Sequence, residues 1–504
     1  MTDGKIWLQR HQRLLLFVLL LAAIEASYLF IVTAGRFTSW PTWNSNYDLL
    51  AEGLRSGHLY LARAPDPALL AKANPFDPRW RSLWFWDASL YGDHYYLYWG
   101  PLPAVAVAIV KTMFRIRGTV GDQFPLFAGY TIYLVAGALL IARLSRRLFD
   151  GVPAWLTALC IAVFAWANPT PYLIATPGIY EAAIAGGQAF LVLGLLLAFE
   201  AIWRDDDRAR RRLLVAAGLS WGFAFACRAS AILPAAVFAA VTALAVSPPA
   251  PWPRAWRAPL RPALWIGAPI AAIVAAHLSY NRLRFDAWLD FGLGRQLSTM
   301  PFRTAPEYLL PNLYSYLLRP LLGSCRFPFV TAPANLVTFP SWFTVPGGYA
   351  APEPVAGLIN ATPWVMLAGF AVVMVVVMCR QAVRAPRLVV DDRRFRASLW
   401  CGVVFLVLGT VTGLPEITEF FASMRFLADV AGGLVLAGVW AACLLYTRVR
   451  DQPWPGRIAT AVIVALGAAS IVTGLLLGVQ GYDLMFQNHN PELFARWVRM
   501  FSRC

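Results

Sequence analysis

Twelve apolar runs punctuate this chain, at 14–34, 101–115, 124–145, 152–170, 179–203, 213–228, 230–247, 262–280, 356–379, 397–414, 427–447 and 458–479. Crossing the hydrocarbon core of a bilayer as a helix takes about 20 apolar residues, and most of these runs approach or exceed that. Inside lipid a backbone must satisfy its own hydrogen bonds, so such runs fold as helices. Only 14% of the residues are charged, against about 25% in a soluble domain. The chain therefore reads as an all-α polytopic membrane protein.

Charge orients the runs. The net charge is +16, and the base is nearly all arginine, with lysine only at Lys5, Lys72 and Lys111. More than half of the basic residues fall at the amino terminus and in five short clusters: 143–147, 204–212, 254–261, 380–396 and 448–457. That is the positive-inside pattern, and it argues against nucleic acid as the partner of this charge. If all these segments are cytoplasmic, an even number of crossings must separate each from the next. Parity fails only between the amino terminus and Arg143. The weakest run there is 101–115, which opens with two prolines and contains Lys111. The expectation is that it lies at the outer face without crossing. That leaves about 11 transmembrane helices, with the amino terminus inside and the carboxyl terminus outside. The first run lacks a small-x-small cleavage site and reads as an uncleaved anchor.

This topology predicts two long external loops, 35–123 and 281–355, with short amphipathic helices, and an external tail at 480–504. The Pro-rich stretch 247–262 reads as a cytoplasmic linker. It divides the chain into a membrane module at 1–247 and a second at 248–504. Seven cysteines show no CxxC or CxxH spacing, which argues against a disulfide framework or a zinc site. Cys325 and Cys504 fall on the same external side, where a bridge between them is possible.

Acids are scarce, 27 in 504 residues, so the external ones are informative. Asp48 follows the first span in WNSNYDLLAEGLRSG. Ser45 and Asp48 have capping-box spacing, and Glu52 can pair with Arg55. Asp48 is equally placed to meet the head group of a lipid-linked substrate, on a short amphipathic helix lying flat on the membrane. Asp87 sits in WFWDASLYGDHYYLYWGPLP, crowded by tryptophans and tyrosines. Such rings form an interfacial belt, or they wall a saccharide site with an acid inside. Asp48 and Asp87 are the catalytic candidates; Trp86, Tyr95 and Tyr96 are candidate substrate contacts. Glu181 opens a span, where the helix dipole favours an acid. Arg228 and Arg425 lie at the ends of spans. An arginine at membrane depth is costly and is kept for a partner, either a phosphate gripped by two N–H groups or an acid such as Asp429 for Arg425. The five histidines are scattered; His94 could join Asp87 at a metal. No Gly-rich nucleotide loop and no Ser/His/Asp signature is present.

The layout resembles the GT-C glycosyltransferases, in particular the protein mannosyltransferase and lipid A aminoarabinose transferase branch. One span is followed by a long external loop with an acid near its start, an aromatic-Gly-Pro-Leu-Pro stretch, a Leu-Ser-Arg-Arg-Leu-Phe turn between spans, and the turn Thr176-Pro177-Gly178-Ile179-Tyr180-Glu181. The likeness covers residues 10 to 230 in layout and the second half in outline. It implies a GT-C-like bundle and transfer of a sugar from a polyprenyl-phosphate-linked donor to a lipid, glycan or protein acceptor on the external face. It also implies a single inverting displacement, with a carboxylate as base and Arg228 and Arg425, or a divalent cation such as Mg or Mn, on the leaving phosphate. Family members place an acid, often two adjacent, just after the first span. Here the stretch is Trp43-Asn44-Ser45-Asn46-Tyr47-Asp48: the pair is missing and Asp48 lies a few residues on. Two other readings stay open, a flippase of lipid-linked saccharide and an inactive assembly subunit. The expected location is a bacterial inner membrane.

Overall fold

The computed structural model describes residues 2–247, 257–299, 303–333, 339–340, 345–350, 353–385, 392–502 and 504. Most of the expected linker at 247–262 lies outside the described residues, as do 386–391 of the basic cluster 380–396.

The protein is an all-α bundle, with two small β-hairpins among the described residues. Among the described residues nine helices are long and apolar enough to cross a membrane: Leu14–Val32, Gln123–Leu148, Ile179–Ile202, Ala229–Val246, Leu260–Phe285, Pro363–Arg384, Arg393–Thr418, Met424–Val449 and Pro453–Gln480. Three of the apolar runs fall short. The run at 213–228 lies in the helix Asp207–Cys227, whose first turns are charged. The run at 152–170 is broken at Asn168-Pro169 into the helices Ala154–Trp166 and Thr170–Ile174. The third is Leu102–Met113. At 1.5 Å per residue its 12 residues reach about 18 Å, well short of a core about 30 Å thick. Both its flanks sit at one end of the bundle: Gly100 donates its N–H to the Cys227 carbonyl and Asp122 its N–H to the Asn44 carbonyl.

The helices Gln123–Leu148, Ile179–Ile202 and Asp207–Cys227 pack closely through small residues. A Cβ at Gly129 would stand 2.9 Å from Ala185, and one at Gly194 would stand 2.2 Å from the Trp221 indole nitrogen. Without a hydrophobic force between helices in lipid, such close approach supplies the van der Waals contact that holds them. At one end of the bundle Glu200 gathers Arg143 (2.6 Å) and Arg147 (3.0 Å). The described parts of 35–123 and 281–355, expected outside, fold over the other end. The carboxyl tail lies there too: Asn490 donates to the Ala34 carbonyl (2.8 Å), and Arg36 donates to that of His489 (2.9 Å). A disulfide joins Cys325 to Cys504, beside rings of Phe327, Trp497 and Phe501.

The helix Asn46–Arg55 is not held as a capping box. Ser45 makes no side-chain cap. Asp122, far along the chain, accepts the N–H groups of Asn46 and Tyr47, each at 3.1 Å. Burial pushes the Asp122 carboxyl up to about 7, even though these two amides favour its ionised form. Asp48 is 4% exposed, and its Oδ1 accepts from Lys111 Nζ at 2.5 Å. Lys111 also reaches Glu52 at 2.6 Å, and Glu52 meets Arg55 as expected. The reason is plain: Lys111, on the apolar helix Leu102–Met113, is 1% exposed and must find acids instead of water.

Removing one partner strands a buried charge. Lys111→Met is expected to cost about 3–5 kcal/mol of stability. Combining it with Asp48→Leu should recover much of that loss. Equilibrium unfolding in detergent checks both; a single variant as stable as the parent contradicts the buried pair.

Candidate active site

At the end of the bundle opposite Glu200, the helix ends and the segments between them enclose a cavity of about 770 Å³. Its wall is drawn from distant parts of the chain, including Asn44, Asp87, Glu181, Arg228, Gln296, Glu353, Glu416, Glu419 and Arg425.

Asp87 enters from the aromatic stretch. The following hairpin pairs Ser89–Tyr91 with His94–Tyr96, and Asp87 precedes it with φ +62°. An aspartate tolerates this left-handed conformation better than most residues, but holding it still costs energy that the surroundings must supply. Here Asp87 Oδ1 accepts from Tyr180 Oη (2.6 Å) and Gln296 Nε2 (3.0 Å). Leu297 donates its N–H to the Ala88 carbonyl and fixes the adjoining backbone. Among the described residues Asp87 Oδ2 has no hydrogen-bond partner.

Two arginines face the same cavity. Arg228 ends the helix Asp207–Cys227. Its Nη2 meets Glu416 (2.8 Å) and Asp429 (2.7 Å), and its plane lies over Trp99. Arg425 is in the first turn of Met424–Val449, over the Tyr180 ring at 4.1 Å, and meets Glu353 at 2.5 Å. The sequence reading offered Asp429 to Arg425; the fold gives it to Arg228 instead, because Arg425 turns outward to Glu353. Each guanidinium keeps one enclosed nitrogen without a partner, Nη1 of Arg228 and Nε of Arg425. The Trp43 and Trp99 indole N–H groups in the same wall are also enclosed and unpartnered. Buried donors rarely stay without a partner, and enclosed acceptors share this region, Glu416 Oε2 and Asn44 Oδ1 among them. Asp429 lies one helical turn from Arg425, so the two arginines bracket a single region.

The structure sorts the remaining acids. Asp66 and Asp77 cap short helices, Asp93 meets His94, and Asp290 meets Arg295. Glu181 lines the cavity from the first turn of Ile179–Ile202. A Cβ at Gly178 would stand 2.6 Å from Glu181 Oε2, so the carboxylate lies close against this turn. Glu419 is buried, and burial together with the neighbouring Glu416 pushes its carboxyl up to about 8 against the pull of Arg228 and Arg425.

Of the sequence candidates, Asp87, Trp86, Glu181, Arg228 and Arg425 share this cavity. Asp48 does not line it, being turned toward Lys111. Tyr95 packs on Phe85 and Tyr96 on Phe285, outside the wall. Asn44 stands in the cavity instead, with its Oδ1 enclosed and unpartnered. Sequence reasoning missed Asn44, Gln296, Tyr98 and Tyr180. Only the last two carried a signal, as aromatics beside motifs already singled out. Glu353, Glu416 and Glu419 also line the cavity.

A divalent cation needs several oxygen or nitrogen ligands on one point. Among the described residues no group of three or more His, Cys, Asp or Glu side chains converges in that way. His94 is spent on Asp93, apart from Asp87.

No family model and no curated protein matches the sequence. Among solved structures, the chain is similar to the oligosaccharyltransferase AglB of Archaeoglobus fulgidus in complex with an inhibitory peptide and a dolichol-phosphate. That match has a TM-score of 0.47 at 13% identity, covering 94% of this chain and 56% of the other. The apo form of the Archaeoglobus fulgidus oligosaccharyltransferase gives 0.45 at 12%, covering 92% and 55%. ArnT from Cupriavidus metallidurans, bound to undecaprenyl phosphate, gives 0.42 at 12%, covering 94% and 77%. The chain thus spans about half the length of the archaeal proteins it matches.

The raised carboxyl of Glu419 gives a pH signature. Between about 4.5 and about 8 the folded state holds a proton that the unfolded state has released. The favourable contribution is therefore complete below about 4.5 and lost as pH rises through about 8. Glu419→Gln should flatten this part of the stability profile. Unfolding midpoints at about pH 5 and about pH 9 check it; an unchanged slope in the variant contradicts the assignment.

Proposed function

We propose that this chain is a GT-C-type glycosyltransferase that moves a sugar from a polyprenyl-phosphate carrier to a cell-envelope acceptor, at the outer face of a bacterial cytoplasmic membrane. One observation carries the reading. A carboxylate with a free oxygen, Asp87, shares a cavity with two arginines that keep unpartnered N–H groups. This cavity is at the end opposite the arginine clusters, which the positive-inside rule makes external. Counting the broken pair 154–174 and the helix Asp207–Cys227 as crossings gives eleven passes, with the amino terminus inside and the carboxyl tail outside.

In this mechanism Asp87 takes the proton of the acceptor as the acceptor atom attacks the anomeric carbon. The bond from that carbon to the phosphate oxygen breaks on the opposite face, inverting the centre. The polyprenyl phosphate leaves with the bonding electrons, and the free N–H groups of Arg228 and Arg425 stabilise the growing charge. Tyr180 and Gln296 fix the Asp87 carboxylate so that Oδ2 faces the acceptor. Trp86 and Glu181 contact sugar hydroxyls. A flippase would need a polar path through the bundle to the other end, whereas these charged groups belong to helix ends and loops on one side.

The test is transfer of label from radiolabelled polyprenyl-phosphate sugars to a membrane extract by protein in nanodiscs. Asp87→Asn should lower turnover by about 10²–10⁴-fold with the fold intact. Asp48→Asn should lower stability while the folded fraction keeps its turnover. Transfer that survives Asp87→Asn but is lost in folded Asp48→Asn would overturn the assignment of the base.

A further inference from the structure

Three arginines are buried among the described residues: Arg228, Arg284 and Arg319. Arg228 has Glu416 and Asp429. Arg284 donates to the Leu97 carbonyl and to Asn281 Oδ1, and it lies over the Tyr280 ring. Arg319 is 1% exposed and has no counterpart. Its Nε and Nη2 are enclosed without a hydrogen-bond partner, and no ion pair among the described residues includes it. The titratable groups facing it are the Tyr314 and Tyr349 phenols. No acid is hidden nearby, because the undescribed stretches of this segment, 300–302, 334–338, 341–344 and 351–352, contain none in sequence. Glu353 is held by Arg425, and Glu307 is exposed.

A guanidinium cannot shed its proton in a protein. Burying one without a counter-charge costs several kcal/mol, which natural sequences avoid unless a partner arrives. The backbone around Arg319 is firmly built. Its carbonyl accepts from Gly357 N–H (2.9 Å) and Asn360 Nδ2 (3.2 Å). A Cβ at Gly357 would stand 2.5 Å from Arg319 N. The residue is nonetheless only one layer from the surface, since its chain neighbours Leu318 and Pro320 are exposed. Around this corner, where the external segment meets the outer end of the span Pro363–Arg384, large apolar side chains are also exposed: Leu310, Leu318, Ile359 and Met366.

We propose that Arg319 is a second anion site, separate from the cavity, which takes the phosphate group of a membrane lipid whose chains lie on Leu310, Leu318, Ile359 and Met366. An unpaired buried guanidinium beside lipid-facing side chains fits a phosphodiester with two acyl tails. Free phosphate offers the same oxygens without the tails. The inference does not depend on sugar transfer.

The experiment uses the full chain, delipidated in detergent, with thermal unfolding as the readout. Phosphatidylglycerol, inorganic phosphate and diacylglycerol are titrated separately against the parent protein and Arg319→Met. Phosphatidylglycerol should raise the parent midpoint by several degrees and leave Arg319→Met unmoved. Inorganic phosphate acting equally well on the parent alone would keep the anion site but remove the lipid. An equal shift in both proteins, a shift with diacylglycerol, or no shift with either anion would overturn the proposal. If Arg319→Met does not fold, hydrogen exchange of the parent decides: phosphatidylglycerol must slow amides in Leu309–Leu317 and at Leu318 and Arg319, and unchanged exchange there rejects the site.

Discussion

The bundle is organised around one desolvated guanidinium. Arg228, 7% exposed, binds Glu416 and Asp429, and so ties the end of Asp207–Cys227 to the 415–421 loop and to the helix Met424–Val449. Removing any one of the three would strand charge in a place water does not reach. Burial, with Glu416 and Asp429 adding to it, outweighs the pull of Arg228 and Arg425, so the next acid, Glu419, is pushed up to about 8. The interaction that ties these elements together thus also places Arg228, with its unpartnered Nη1, in the cavity wall.

The external segments serve as a frame for this cluster. Asn312, fully buried, donates to the carbonyls of Glu416, Ile417 and Glu419. Its own Oδ1 accepts from Tyr349 Oη at 2.9 Å. The loop is paired along its edges as well, Thr304 with Glu419 and Ala350 with Phe421. On the first external segment, Asp122 and the Asp48–Lys111 pair do the same for Asn46–Arg55, next to Asn44 in the cavity wall. Buried polar groups fix these loops more sharply than apolar packing would, because each lost partner carries a penalty.

The architecture was legible because it follows from local signals. Apolar runs name the helices, arginine clusters name their ends, and the two prolines and Lys111 of 101–115 marked a segment too short to cross. The cavity was legible where chemistry is unusual for its surroundings: Arg228 and Arg425 at span ends, Asp87 among rings. Pairings were not legible. Ser45 and Asp48 have capping spacing, yet the cap comes from Asp122 and Asp48 goes to Lys111, because tertiary contact outweighs local preference. Asp429 sits one turn from Arg425 but binds Arg228, a choice set by how two helices lie against each other. Asn44, Gln296 and Asn312 are ordinary amides in sequence, and only the fold shows what their side chains face.

The central claim is that the cavity seats a polyprenyl phosphate between Arg228 and Arg425, within reach of Asp87. An experimental structure of the protein with a polyprenyl phosphate bound tests this most directly. The account predicts phosphate oxygens about 3 Å from Arg228 Nη1 and from the Arg425 guanidinium, with Asp87 Oδ2 open to the space beyond. Phosphate density outside this cavity, or a phosphate in it that touches neither arginine, would contradict it.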